Sequence, residues 1–331
     1  MPATSDIRAA SIIRQKVGRS WRHKLVVTVT VPETLSHIKR DKMGAAGIDI
    51  GWRKLTGGLR VAYWRDDTGN ASRILHPAIK DFIRLDDDGM GGQLILPERI
   101  CGKKGFGQTD NIKSVRDDNF NKVKNVLQEW LKDNLDTWLT EETKTLSQWR
   151  GHGRLITLIR KWQENRVPND EKMLDTLEEW RGRENHLYDY ESNLRDRLEH
   201  FRREIYRVFA SQISITYGKV ILEDFDLSRV SRKPMPENGT QMTIEPDHQR
   251  AVAAVSTLRL AIESSCRRER TEVLRLDPAN STMECNECGH VEKFNAAANL
   301  IRLCPSCGAI WDQDSNAADV MLQRSSTSKI A

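Results

Sequence analysis

The chain has 331 residues, 38% hydrophobic and 30% charged, with a formal net charge of +5. That length supports one large domain or two ordinary ones with a proper core, and the mild positive charge admits a nucleic-acid partner without specifying one. No run approaches about 18 consecutive apolar residues and the N-terminal MPATSDIRAAS has no signal-type apolar region, which excludes a helical membrane span and reads as cytoplasmic.

In chain order, residues 1–20 are polar and basic and read as a loose arm. WRHKLVVTVTVP (21–32) alternates along Leu25, Val27, Val29 and Val31 and stops at Pro32, the pattern of a strand. AAGIDIGWRKL (45–55) and LRVAYWRDD (59–67) are the next strands and SRILHPA (72–78) is read as another, with Gly57–Gly58 and Thr68–Gly69–Asn70 as turns. The Gly-, Asp- and Lys-rich stretch 84–110 reads as a mobile loop. Helical spacing then links Phe120, Val123, Leu127, Trp130, Leu131, Leu135 and Trp138, and again Leu187, Tyr190, Leu194, Leu198, Phe201, Ile205, Val208 and Ile213. Between them lies a basic run (148–166) carrying Arg150, Arg154, Arg160 and Lys161. GKVILEDFDL (218–227) is a buried strand up to Glu223, followed by a polar loop (229–246), a helix from Asp247, the strand TEVLRLDP and a last helix from Ser315. Without its insertions the order is three strands, helix, strand, helix, strand, helix. That is the order of an α/β, RNase H-like fold, a mixed sheet with helices on both faces and antiparallel strands first.

Three acidic residues stand out against this order. Asp49 sits in mid-strand with Gly47 and Gly51 on its own face, and buried strands carry a carboxylate when it is paired or metal-bound. Glu223 ends an apolar strand. Asp314 opens the final helix, with Ser315 or Asn316 expected near its cap. Each taken singly is a solvated strand end or a turn. Converging, they form an all-oxygen site for two Mg²⁺ or Mn²⁺ ions, the arrangement that activates water against a phosphodiester.

Of the six cysteines, Cys101 and Cys266 are isolated, while Cys285, Cys288, Cys304 and Cys307 make two CxxC pairs fifteen residues apart, each followed by glycine. In a reducing compartment this spacing indicates a closed, tetrahedral, structural Zn²⁺. Arg302 on this ribbon is a candidate phosphate contact.

Taken together and in this order, GIDIGWRKL, VILEDFDL, CNECG…CPSCG and DQDSNAAD resemble the RuvC-like nuclease half of TnpB transposon proteins and of the related type V CRISPR effectors. The resemblance covers about residues 45–331. It implies catalytic, metal-binding roles for Asp49, Glu223 and Asp314, DNA as substrate, and a guide RNA as partner. It also implies that Arg150, Arg154, Arg160 and Lys161 face a guide–target duplex. The segments become a basic arm with a wedge-like strand (1–44), a RuvC-like first part (45–110), a helical segment with its basic insertion (111–217), a second part (218–280), the zinc ribbon (281–311) and a third part with the tail (312–331). The family places a wedge and a recognition lobe before the first catalytic strand, and here 44 residues precede Ala45. The chain therefore reads as a catalytic half: a fragment, a subunit completed by a separate protein, or a minimal relative. Two rivals stand beside the endonuclease reading. One is a regulator that binds nucleic acid without cutting, the other a transposase-like or Holliday-junction nuclease.

Overall fold

A computed structural model describes residues 6–17, 20–30, 41–134, 138–224, 244–277, 279–294 and 300–327. Pro32, Leu135 and most of the 229–246 loop lie outside them. The chain divides into two compact units, one of Met1–Ala10, Val27–Gly105 and Leu198–Ala331, the other of Ser11–Val26 and Phe106–Arg197. Strands β1 (Asp6–Val17) and β2 (Ser20–Thr30) pair as a two-stranded sheet, so most of the expected loose arm is a strand.

The first unit is built on six further strands: β3 (Ala45–Leu55), β4 (Gly58–Asp66), β5 (Ile83–Leu85), β6 (Gly91–Pro97), β7 (Lys219–Glu223) and β8 (Glu272–Leu276). They lie in the order β5-β6-β4-β3-β7-β8. The β3–β4, β4–β6 and β5–β6 pairs are antiparallel, and β3–β7 and β7–β8 are parallel. This is the mixed, RNase H-like sheet expected from the sequence.

Two differences from that expectation have physical causes. Residues 72–78 are not a strand; Ala71–Ile74 is a single 3₁₀ turn. The missing antiparallel strand is β6, inside the stretch read as a mobile loop. Its Gly91 and Gly92 pack under β4: an added Cβ would lie 2.3 Å from the Trp64 carbonyl oxygen at Gly91 and 2.8 Å from the Trp64 ring at Gly92. These glycines serve close packing, and Leu94 and Leu96 behind them are fully buried.

Helix α1 (Phe106–Lys132), helix α2 (His152–Glu164) and the first half of helix α3 (Glu171–Thr216) build the second unit. Their apolar faces share a core including Phe120, Leu127, Leu155, Ile159, Trp162, Leu177 and Trp180. Before α3 the Asp170 carboxylate accepts hydrogen bonds from the Trp162 indole (2.7 Å), the Val167 amide (2.9 Å) and Arg166.

Back in the first unit, helices α4 (Ile244–Ala253) and α5 (Val255–Glu269) replace the single helix expected from Asp247. Ala254 between them is left-handed at φ 44°, where a continuous helix cannot pass. Tyr206 and Arg202 of α3 donate to the carbonyls of Ala253 and Val252 that the break exposes. Helix α6 (Gln313–Thr327) lies along β3 and β4. The two sheet faces follow from strand alternation. Gly47 meets α6, since a Cβ there would come within 2.4 Å of the Ala318 carbonyl oxygen, and Arg65, paired with Gly47, bonds Asp319 at 3.0 Å. On the other face Trp64 packs edge-on against Phe209 of α3, with ring centroids 5.5 Å apart. Asp49 shares the Gly47 face and so looks toward the start of α6.

Candidate metal centres

Asp49 is half-buried at mid-β3, and among the described residues no hydrogen-bond donor reaches its carboxylate. Burial pushes its pKa well above the usual carboxylate value. The charges of Asp314 and then Glu223 push the same way, against a smaller pull from Arg60 and Arg53. Glu223 comes level with it because β7 runs parallel to β3 with Leu222 opposite Ile48. Its carboxylate accepts the Ser281 hydroxyl at 2.5 Å. Burial raises the Glu223 pKa, with Asp314 adding to the rise and Ser281 and Arg324 opposing it.

The two aspartates before the final helix have different work. Asp312 is the N-cap of α6: its Oδ1 accepts the amide of Asp314 at 2.9 Å. The helix therefore starts at Gln313, earlier than the Ser315 expected, and neither Ser315 nor Asn316 caps it. Asp314, in the first turn, faces two arginines. Arg60 holds both oxygens of Asp312 at 2.9 Å and also pairs with Asp314. Arg53 reaches both oxygens of Asp314 at 3.3 Å. Arg53 and Arg60 are directly opposite across β3–β4, beyond a register shift that starts at Ile50. Sequence reasoning passed over both. The available signal was an arginine inside the apolar strand LRVAYW, where it is 3% exposed.

The donor set fits a hard divalent ion: every donor is oxygen, and among the described residues no hydrogen bond engages the Asp49 carboxylate, on which the repulsion of Asp314 and Glu223 exceeds the pull of Arg60 and Arg53. The fit is best at Asp49 and Glu223, because the Asp314 oxygens are already engaged by guanidinium groups. Among the described residues the four ribbon cysteines are the group whose ligand atoms all lie within 4.8 Å of one another. The three carboxylates stand farther apart.

In the ribbon, the Cys285–Cys307 and Cys288–Cys304 sulfurs are 3.7 Å apart. A tetrahedron with metal–sulfur bonds of about 2.3 Å has edges of about 3.8 Å, so the thiols are spaced for one metal such as zinc and are too far apart for disulfides. Each knuckle closes on a left-handed glycine, Gly289 (φ 71°) donating to the Cys285 carbonyl and Gly308 (φ 77°) to that of Cys304. Strands β9 (Ile301–Leu303) and β10 (Ile310–Asp312) pair antiparallel, and β10 runs straight into the α6 cap. Asn316 ties ribbon to helix, donating to the Glu284 carbonyl at 2.7 Å and accepting the Asn286 amide at 3.0 Å. The structure thus gives the Asn of DSNAAD a joining role that the motif alone did not reveal.

The basic candidates separate. Arg150, Arg154 and Arg160 are exposed in the second unit and make no ion pair among the described residues. Lys161 pairs with Glu142 at 2.8 Å, and Arg302 pairs with Glu292 at 2.7 Å while stacking on Phe294. No described helix is long and apolar enough to cross a membrane.

The mixed sheet and the four-cysteine ribbon are those of an RNase H-like fold, and the resemblance carried by the four motifs is borne out by relatives. The chain is a relative of the TnpB-like type V effectors. Residues 256–321, which span the ribbon and Asp314, match the family described as Cas12f1-like, TNB domain. The CRISPR-associated DNA-binding protein Cas12m of Thermanaerosceptrum fracticalcis is 38% identical over 324 residues, 97% of this chain and 51% of that protein. The protein of the same name from Allomeiothermus silvanus is 35% identical over 307 residues, 92% of this chain and 52% of its own length. The chain thus spans about half the length of the curated relatives it matches. Among solved structures, a Cas12f1–sgRNA–target DNA complex is similar at a TM-score of 0.37 and 12% identity, over 95% of this chain and 56% of that one.

Proposed function

We propose that the chain is the RuvC-like half of an RNA-guided, DNA-binding effector, with guide RNA and target DNA as partners and an acid cleft that takes Mg²⁺ or Mn²⁺. The observation that carries this reading is the Asp49 carboxylate on the face turned to α6, which accepts no hydrogen bond among the described residues and lies in the field of the Asp314 and Glu223 carboxylates. Asp49 and Glu223 would hold the cation, Asp314 would be the third acid, and Ser281 fixes the Glu223 carboxylate. Such ions, when bound, supply an activated water and a counter-charge for the leaving oxygen of a phosphodiester, which makes the finer proposal a DNA endonuclease. Cys285, Cys288, Cys304 and Cys307 hold a structural Zn²⁺ in this reading. Phosphate contact in the second unit falls chiefly to Arg150, Arg154 and Arg160, since Lys161, like Arg302 on the ribbon, has an acidic partner.

A second reading, binding without cutting, is favoured by one observation: Arg60 and Arg53 occupy the Asp314 carboxylate. One experiment addresses both. Guide RNA and end-labelled target DNA are incubated with the chain in Mg²⁺, beside Asp49→Ala. Cleavage by the parent that disappears in the variant supports the endonuclease. Guide-dependent binding, equal in both proteins and without cleavage, supports the second reading. If the parent neither binds nor cuts DNA, the chain by itself is not an effector.

A further inference from the structure

We propose that Arg60 is a resident cation of the acid cleft: its guanidinium holds the place of a second divalent ion at the Asp312–Asp314 end, leaving room for one ion, at Asp49 and Glu223. The inference rests on the cation site proposed above and concerns how many ions that site accepts.

A buried arginine is costly unless its charge is matched, and Arg60 is 3% exposed, its Nε lacking an acceptor among the described residues. What sustains it is a fork-on-fork pair with Asp312, two bonds of 2.9 Å, together with the contact to Asp314. The same pair fixes the position of both aspartates, since Asp312 is at once the cap of α6 and the anchor of the guanidinium. Arg53 adds a second positive charge at Asp314 from the opposite strand position. Two arginines facing each other across a strand pair repel, and the arrangement stands because the carboxylates neutralise both. Around the cleft, Arg60 and Arg53 both bond to the Asp312–Asp314 end, whereas among the described residues no guanidinium bonds to the Asp49 or Glu223 carboxylate, Arg324 acting on Glu223 only through its charge. A divalent ion gains most at Asp49 and Glu223. At Asp314 it must first displace a guanidinium that already has short, matched bonds.

The test counts ions directly. Mn²⁺ is titrated into the full, zinc-loaded chain and bound metal is followed by electron paramagnetic resonance, for the parent, Arg60→Met, Arg60→Lys and Asp49→Asn. The parent is expected to bind one Mn²⁺, which Asp49→Asn abolishes. Arg60→Met leaves Asp312 unmatched and Asp314 held by Arg53 alone, so it should take up a second ion or bind the first about tenfold more tightly, a change equivalent to about 1.4 kcal/mol. Arg60→Lys keeps a charge in place and should stay with one ion. Two ions in the parent, or an Arg60→Met protein that binds as the parent does, overturn the role of Arg60 while leaving the cation site standing. No binding by either protein overturns the cation site itself. Should Arg60→Met fail to fold, the parent's stoichiometry alone decides: one ion supports the inference and two contradict it.

Discussion

The ribbon and the acid cleft adjoin in the chain, and Asn316 joins them in space, yet they are put together in opposite ways. The ribbon takes all four ligands from Cys285–Cys307, and a glycine knuckle closes each CxxC pair where the sulfurs stand at metal spacing. The cleft draws on β3, β7 and the first turn of α6, and comes into being only when the sheet has formed. Its counter-charges, Arg53 and Arg60, lie outside the acidic triad. A local site can be read from spacing; a distributed one needs the topology, and its balance of charge needs the neighbours.

The largest effect should come from removing zinc. Structural zinc contributes about 10–16 kcal/mol of apparent binding free energy at neutral pH, so a strong chelator should unfold the ribbon. Native mass spectrometry should show one zinc lost, and Mn²⁺ binding at the cleft should weaken with it, because β10 and Asn316 hold the start of α6. If Mn²⁺ binding survives unchanged, the two centres are independent.

Gly47→Ala strikes the cleft and spares the ribbon. The new Cβ would lie 2.4 Å from the Ala318 carbonyl oxygen, a backbone atom, so α6 must shift off β3. The expected cost is about 3 kcal/mol in denaturant unfolding, with zinc content unchanged. Asn316→Ala sharpens the link between the centres. It leaves the Asn286 amide and the Glu284 carbonyl without their partner, for about 2 kcal/mol. Zinc should stay bound while Mn²⁺ affinity falls.

The smallest effect serves as a control in the other unit. Arg166 above all, aided by the Val167 amide and the Trp162 indole, lowers the Asp170 pKa to about 2. A carboxyl lowered on folding stabilises at pH above its unfolded value near 3.8, and that contribution disappears as pH falls through about 2. Asp170→Asn should therefore cost about 1 kcal/mol at neutral pH, and the two proteins should converge near pH 2 when followed by tryptophan fluorescence. Neither metal centre should respond.

Much of the sheet was legible in the sequence. Alternation and apolar runs identified β2, β3, β4, β7 and β8, and their order with the helices pointed to the RNase H-like arrangement. What escaped did so for particular reasons. β6 was hidden because Gly91 and Gly92 signal a loop by composition, whereas here they make room for Trp64. The break at Ala254 depends on Tyr206 and Arg202, which are distant in sequence and satisfy the freed carbonyls. Asp312 and Asp314 read alike as a turn, and only the hydrogen bond from the Asp314 amide separates the cap from the acid that faces the cleft. Arg60 escaped because motifs list ligands and not the cations that compete for them.

The central claim is that residues brought together by the sheet, and not by local spacing, make a cation site at Asp49. The most direct test is a crystal of the chain soaked in Mn²⁺, with anomalous maps recorded near the manganese and zinc edges. The account predicts zinc at the four cysteines and one manganese bonded to the carboxylates of Asp49 and Glu223, with Arg60 still on Asp312. Manganese absent from Asp49, with the ribbon zinc in place, would contradict it.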